Sequence, residues 1–348
     1  MNRRRCGKSD LELPVLGVGC WSFGGGDYWG AQDQRDADAV VARALELGCN
    51  YFDTAEAYND GASETSLGLA LKGRRDEAII GTKISPSNTA PKVLRAHCED
   101  SLRRLATDRI DLYMVHWPIN RQSVRQTTDD EAIINNPPST AEAFATLMTL
   151  RQEGKIRHVG VSNFGAKQLA EAMAGGAEIA VNQLSYSLLT RAIEVEILPS
   201  CRANGVGIIG YVPLMQGMLT GKYHSADDVP PKRARIRHFS GSRPGSRHGE
   251  AGVEAETFQT IERIGQIAAG HDMSMSDIAL AWCAVREEIT CVLAGARNLA
   301  QFEANAGAMV DPLPAAAVEQ LNAATAPIMA RLGPSADYFE GTQNSRIR

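Results

Sequence analysis

Long apolar runs are missing from this sequence. No uninterrupted stretch approaches the roughly 20 residues needed to cross a bilayer, which excludes a helical membrane protein. The basic start, Met1-Asn2-Arg3-Arg4-Arg5, is not followed by an apolar segment, so no secretory signal is expected and a cytoplasmic location is. Neither sign of charge is in large excess. With 36 Lys and Arg against 41 Asp and Glu, the net charge of −5 gives no reason to expect nucleic acid as a partner. The seven cysteines are scattered and odd in number, and none forms a CxxC pair. That argues against a disulfide scaffold and against a zinc site, so no metal is expected. Most read as small apolar fillers, although Cys20 stands apart because it falls just past a strand end. A G-x-G-x-x-G phosphate loop is absent too: Gly17-Val18-Gly19 runs straight into Cys20-Trp21-Ser22. The doubly wound dinucleotide fold, the competing α/β architecture, thereby loses its main signature.

What is present is a regular beat of strand and helix. A short hairpin from Arg4 to Leu13, suited to plugging one end of a barrel, precedes strands at 14–19, 50–53, 78–83, 110–116, 155–162, 179–183, 206–211 and 290–294. Helices are expected at 33–47, 63–71, 91–105, 140–153, 167–173, 192–204, 254–269, 276–286, 299–308 and 315–324. Ser63 reads as a helix cap, Gly73 as a helix stop, and Pro91 as a first-turn residue. Eight strands alternating with helices over 348 residues is the (β/α)₈ barrel pattern, here as one domain spanning 1–348. Two connections are longer than plain turns, about 118–139 and 222–252, and both leave C-terminal strand ends. They are expected over the barrel mouth as lids or binding segments. The basic run Lys232-Arg233-Ala234-Arg235-Ile236-Arg237-His238 is either a solvated charge run or a segment that folds over a cofactor or an anionic substrate.

Reacting groups gather at the C-terminal strand ends of such a barrel. The stretch Asn50-Tyr51-Phe52-Asp53-Thr54-Ala55-Glu56-Ala57-Tyr58 ends a strand on Asp53 and carries Tyr58 in the loop beyond. Two later strands end on Lys83 and His116. Taken singly, Asp53 could be a cap, Tyr58 a loop anchor, Lys83 half of a structural ion pair and His116 a satisfied core histidine. If the strands are parallel neighbours, the four crowd one mouth and constitute proton-transfer machinery. Trp21, Tyr28, Trp29 and Trp117 are candidates for the wall of a substrate pocket, since aromatic faces suit a carbonyl compound or a sugar.

The chain resembles the aldo-keto reductases, in particular the bacterial branch that also resembles potassium-channel β-subunits. The matching blocks are Phe52 to Tyr58, Gly81-Thr82-Lys83, Arg109 to Tyr113 with His116-Trp117-Pro118, Gly154 to Arg157, and Gly160-Val161-Ser162-Asn163-Phe164. They continue with Asn182-Gln183, Tyr186-Ser187-Leu188, Pro213-Leu214, Leu219-Thr220-Gly221-Lys222 and Gly295-Ala296-Arg297, in order over nearly the whole chain. The resemblance implies reduction of a small aldehyde, ketone or sugar-like carbonyl, or the reverse oxidation of a polyol, with a nicotinamide as hydride donor. Tyr58 is then the proton donor. A free tyrosine is too weak an acid near neutrality, and Lys83, held by Asp53, would lower its pKa, while His116 orients the carbonyl. Ser162, Asn163 and Gln183 match the residues that hold the carboxamide, and Tyr211 the ring on which the nicotinamide stacks. Leu214, Gly217, Leu219 and Lys222 match the pyrophosphate stretch, and Gly295, Arg297, Gln301 and Asn305 the adenosine end. Arg297 suits a 2′-phosphate, which favours NADPH over NADH. Ala294 stands where the family usually has proline. Two other readings fit parts of the pattern: a cofactor-binding regulatory subunit with slow turnover, and a Schiff-base aldolase using Lys83 as nucleophile.

Overall fold

The computed structural model describes residues 1–348. A two-stranded antiparallel hairpin, β1 (Arg3–Arg5) and β2 (Glu12–Pro14), opens the chain. Eight parallel strands follow: β3 (Leu16–Gly19), β4 (Tyr51–Asp53), β5 (Ile79–Ile84), β6 (Ile110–Val115), β7 (Ile156–Ser162), β8 (Ile179–Ser185), β9 (Gly207–Tyr211) and β10 (Ile289–Gly295). Each pairs with the next, and β10 pairs with β3 to close the barrel. Both faces of these strands are covered, by helices outside and by side chains inside, which is why β6 reads Ile-Asp-Leu-Tyr-Met-Val without alternation and is buried throughout.

Side chains nevertheless alternate inward and outward along each strand, and this period positions the site. Tyr51, Leu112, Met114, Val181, Ile209, Cys291 and Leu293 point inward and form one cluster with Cys6, Leu11 and Leu13 of the hairpin. The hairpin therefore does plug the N-terminal end. A Cβ on Gly81 would lie 2.4 Å from the Tyr51 hydroxyl, and one on Gly160 would lie 2.8 Å from Met114, so glycine makes room for both side chains inside the barrel. One step further along, the inward positions are Gly19, Asp53, Lys83, Ser162, Gln183, Tyr211 and Gly295. These form the layer at the C-terminal mouth.

The helices form where expected, with four differences. Ser63 does not cap its helix: Gly61 occupies the cap of Ala62–Ala70, and the Ser63 hydroxyl donates to the Cys20 carbonyl at 2.7 Å. The stretch 192–204 divides into a short turn, Ala192–Glu194, and a helix, Ile197–Asn204. Restarting there puts Pro199 in the first turn, where its missing N–H costs no intrahelical bond. The last helix runs from Ala315 to Leu332, through Pro327, eight residues beyond the expected end. Finally, both long connections carry packed structure of their own. The first holds two short helices, Arg121–Val124 and Glu131–Asn135, capped by Asn120 and Asp130. The second is irregular but packed, with Val229, Ala234, Ile236 and Phe239 in the core. No helix is long and apolar enough to cross a membrane.

Candidate active site

The mouth opens into a cavity of about 750 Å³ lined by Asp53, Tyr58 and His116. Lys83 stands directly behind them, with no solvent exposure. Its Nζ donates to Asp53 Oδ1 at 2.5 Å, to the Thr54 carbonyl at 2.7 Å and to the Tyr58 hydroxyl at 3.4 Å. Asp53 is itself held on its other oxygen, by the Tyr51 hydroxyl at 3.0 Å and by Gln183 Nε2 at 2.7 Å. The four residues read from three strand ends are thus one contiguous group, and Gln183, 130 positions from Asp53, is its fifth member.

The electrostatics of the group depend on burial. Burial opposes the Lys83 charge, but Asp53 and Tyr58 outweigh it and hold the ammonium above its usual range. Burial pushes the Tyr58 phenol up; Lys83 pulls it down without cancelling that rise, and Asp53 adds to it. The expectation that Lys83 makes this phenol more acidic overall is therefore overturned. The direction of the lysine's influence stands, but desolvation is larger. His116 is held well below its usual value by burial and then by Lys83, so its imidazole is neutral at neutral pH. Cys20 is fully buried, and burial followed by Asp53 keeps its thiol protonated.

Further residues complete the lining of this cavity. One wall is aromatic. The Trp21 ring lies 5.8 Å from Tyr58, is stacked with Tyr28 at 4.8 Å and meets Trp29 edge-on at 5.3 Å. Trp21, Trp29 and Trp117 line the cavity, whereas Tyr28 stands behind Trp21. Ser162, Asn163, Gln183, Tyr211, Leu214, Gly217, Lys222, Gly295, Arg297, Gln301 and Asn305 line the same cavity. Leu219 is the exception: its side chain is buried in the core, away from the cavity. Asn163 adopts φ 62°, a left-handed conformation that asparagine tolerates. This lets its amide donate to the His116 carbonyl at 3.1 Å while its oxygen accepts from Tyr211 at 2.8 Å. Beyond Tyr211, positive φ at Val212, Met215, Gln216, Gly217 and Gly221 bends the backbone into the kind of turn sequence whose N–H groups receive anions. The buried Nε of Arg297 has no partner, although Nη2 donates to the Ala31 carbonyl at 2.6 Å.

One contribution was not visible in the sequence. The tail after the last helix returns to the mouth, where Tyr338 and Phe339 line the cavity. It is anchored by a buried Arg346–Asp337 pair at 2.7 Å, with the guanidinium 3.6 Å from the centre of the Trp117 ring. Arg233 and Ile236 of the basic run 232–238 also line the cavity, so that run is not simply a solvated charge run. An isolated aromatic pair in a tail carries no periodicity from which such positions could be read.

The aldo/keto reductase family pattern matches residues 15–326. The chain belongs to the aldo-keto reductase family. It is 32% identical over 332 residues to the NADH-specific methylglyoxal reductase of Escherichia coli, covering 89% of this chain and 94% of that protein. It is 31% identical over 329 residues to an L-glyceraldehyde 3-phosphate reductase of Escherichia coli, covering 89% and 88%. Among solved structures, the glycerol dehydrogenase of Gluconobacter oxydans superposes with a TM-score of 0.74 at 27% identity, over 95% of this chain and 96% of that one. The protein is accordingly an oxidoreductase acting on carbonyl groups with a nicotinamide cofactor, and the barrel without a Rossmann loop is the fold of the family.

A hydrogen-bonded clasp adjoins the loop that carries Tyr58. Glu56, two residues before Tyr58, accepts from Ser85 N at 2.9 Å, from Asn88 at 2.8 Å and from His97 Nδ1 at 2.8 Å. The Glu56 hydrogen bond raises His97 above 6.5 against the effect of burial. Burial works against the Glu56 carboxylate, but the bonds from His97, Ser85 and Asn88 bring it below 4.5. The clasp thus contributes stability that is complete between those limits. It is lost as pH falls through the lowered Glu56 pKa or rises through the raised His97 pKa. The Tm of the wild type is expected to decline above about pH 6.5 on this account, and His97→Gln to lack that part of the decline. Parallel Tm–pH curves for the two proteins would rule the clasp out.

Proposed function

We propose that this aldo-keto reductase reduces small aldehydes and ketones with NADPH, with Tyr58 as the proton donor. The observation that carries this reading is the Tyr58 hydroxyl 3.4 Å from a buried ammonium, which Asp53 fixes at 2.5 Å, on a cavity shared with neutral His116. When bound, the dinucleotide supplies the hydride. The residues present fit it: an amide and hydroxyl set at Ser162, Asn163 and Gln183, the Tyr211 ring, residues of the left-handed 212–221 segment and Arg297, with its orphaned Nε, line a single cavity. Gln183 spends its amide nitrogen on Asp53, so its oxygen is the atom available to a carboxamide.

In this reading the carbonyl oxygen sits between Tyr58 and His116. His116 donates a hydrogen bond to it and sets its direction. Tyr58 gives up its proton as negative charge develops on that oxygen, and Lys83 stabilises the phenolate left behind. The aromatic wall of Trp21, Trp29 and Trp117 excludes water and accepts the carbon skeleton. The relatives named for methylglyoxal and L-glyceraldehyde 3-phosphate favour three-carbon carbonyls as the first compounds to try.

The test is oxidation of NADPH and of NADH by methylglyoxal, glyceraldehyde and 4-nitrobenzaldehyde, with glycerol in the reverse direction. No turnover of any of them would overturn the reading. Arg297→Met is expected to lower the ratio of kcat/KM with NADPH to that with NADH by about 10- to 100-fold, the loss of one charge-assisted contact to a 2′-phosphate. An unchanged ratio would remove Arg297 from the discrimination and with it the argument for NADPH.

A further inference from the structure

One layer below the reacting groups, inside the barrel, lies a fully buried phenol that does not line the cavity. Tyr51 precedes Asp53 by two residues on β4, so both side chains point inward and the ring stands beneath the carboxylate. Its slot is cut by glycine on both neighbouring strands. A Cβ on Gly17 of β3 would lie 2.7 Å from the ring, and one on Gly81 of β5 would lie 2.4 Å from the hydroxyl. Around it the layer is apolar, with Leu13, Leu112, Met114, Ile209 and Leu293 in the same cluster. The hydroxyl makes a single hydrogen bond, donated to Asp53 Oδ2 at 3.0 Å. Burial, reinforced by Asp53, holds this phenol well above its usual value, so it remains a donor throughout the working pH range. Phenylalanine would fill the slot without the cost of burying a hydroxyl, so what the oxygen adds is its bond to the carboxylate.

That bond differs in kind from the other two on Asp53. Lys83 holds Oδ1 at 2.5 Å and also reaches Tyr58. Gln183 shares Oδ2 at 2.7 Å but lines the cavity, where a docking molecule can draw on it. Tyr51 is sealed below both, its ring hemmed in by the strands on either side. We propose that Tyr51 is a positioning residue of this reductase: from inside the barrel its hydroxyl fixes the rotation of the Asp53 carboxylate, and through it the aim of Lys83 at Tyr58. With Oδ2 held from below, Oδ1 stays on the line to Lys83 Nζ, and the ammonium stays 3.4 Å from the Tyr58 hydroxyl. Freed from Tyr51, the carboxylate can turn toward Gln183 and draw the ammonium off the phenol. The proposal deepens the reading of Tyr58 as proton donor and rests on it for the effect on turnover.

The test is Tyr51→Phe in the full chain, which keeps the ring and removes only the oxygen. Single-turnover reduction of methylglyoxal by the variant saturated with NADPH is expected to slow about 3- to 30-fold, the worth of one hydrogen bond to a charged group. NADPH affinity, read by fluorescence titration, is expected to stay at the parent level. A second readout is the pH at which glycerol oxidation gains rate. The titratable groups around Tyr58 are Lys83, Asp53 and Cys20, with the His116 ring 5.6 Å away and Tyr211 beyond. Among these, Asp53 is the one that loses a partner in the variant. A carboxylate stripped of a donor acts more strongly on the Tyr58 phenol, and a displaced ammonium acts less. Both raise it, so the oxidative limb moves to higher pH by about half a unit or more. Gly81→Ala, whose methyl displaces the Tyr51 hydroxyl, is expected to give the same two changes. A parent single-turnover rate with an unmoved limb in Tyr51→Phe overturns the proposal, whatever the Tm does. Urea unfolding needs no turnover: Tyr51→Phe is expected to raise the unfolding constant about tenfold in the parent and much less in Asp53→Asn. Equal increments in the two backgrounds overturn the hold on Asp53. That coupling in a protein that reduces no carbonyl would sink the proton-donor reading and leave the hold of Tyr51 on Asp53 standing.

Discussion

Replacing Tyr58 with phenylalanine is expected to lower kcat for carbonyl reduction by about 10²- to 10⁴-fold, the usual worth of a positioned proton donor. The ring can stay in place, because its neighbours Trp21 at 5.8 Å and His116 at 5.6 Å meet it as an aromatic body, the Lys83 ammonium lies 4.9 Å from its centre, and the hydroxyl alone is lost. Dinucleotide affinity, measured by fluorescence titration, is expected to change little, which separates a lost proton from a lost site. The pH profile of the wild type follows from the direction of the Tyr58 shift. Burial holds the phenol above its usual value of 10.0 even with Lys83 beside it. The acid form needed for reduction is therefore fully populated through neutrality, and the rate of the reductive chemical step stays flat until pH rises through that raised pKa. Oxidation of an alcohol needs the phenolate and gains rate with pH over the same interval. A Tyr58→Phe variant retaining the parent kcat in a rapid single turnover would end the assignment, as would a reductive limb that titrates near pH 7 and disappears with the hydroxyl.

Much of this was legible in the sequence because it depends on position along strands. Asp53, Lys83 and His116 fall at or just past strand ends, and the two-residue period of a barrel strand turns the first two inward at the mouth without further information. The glycine-rich left-handed segment after Tyr211 and the donor set at Ser162 and Asn163 were readable by family likeness. The rest was not readable, for physical reasons. The net shift of Tyr58 is a contest between desolvation and a neighbouring charge, and desolvation is a property of the packed molecule. The bond from Gln183 to Asp53 crosses the barrel between strands that are not neighbours in the sheet order. Leu219 sits in a segment whose backbone is left-handed at several points, so neither helical nor strand periodicity could foresee that its side chain turns into the core. The tail that brings Tyr338 and Phe339 to the mouth is held by a charge pair nine residues apart in irregular chain.

Lys83→Met is expected to produce the largest loss of stability of any single change in the site, about 3–5 kcal/mol, because it leaves a buried carboxylate without its countercharge. Asp53 keeps the Tyr51 hydroxyl and the Gln183 amide, both neutral donors, and loses the one cation that touches it at 2.5 Å. Removing both charges together, in Asp53→Asn/Lys83→Met, is expected to recover a substantial part of that loss, since no uncompensated ion then remains in the dry interior. Urea unfolding of the wild type, the two single variants and the double variant closes the cycle. A Lys83→Met variant within about 1 kcal/mol of the wild type would mean that water reaches the pair, and the electrostatic account of Tyr58 would fail with it. Catalysis is expected to follow a different course. The double variant regains stability without regaining turnover, because the phenolate formed when Tyr58 releases its proton then has no ammonium beside it. A fold that can dispense with the pair and a reaction that cannot are what distinguish a residue kept for chemistry from one kept for structure.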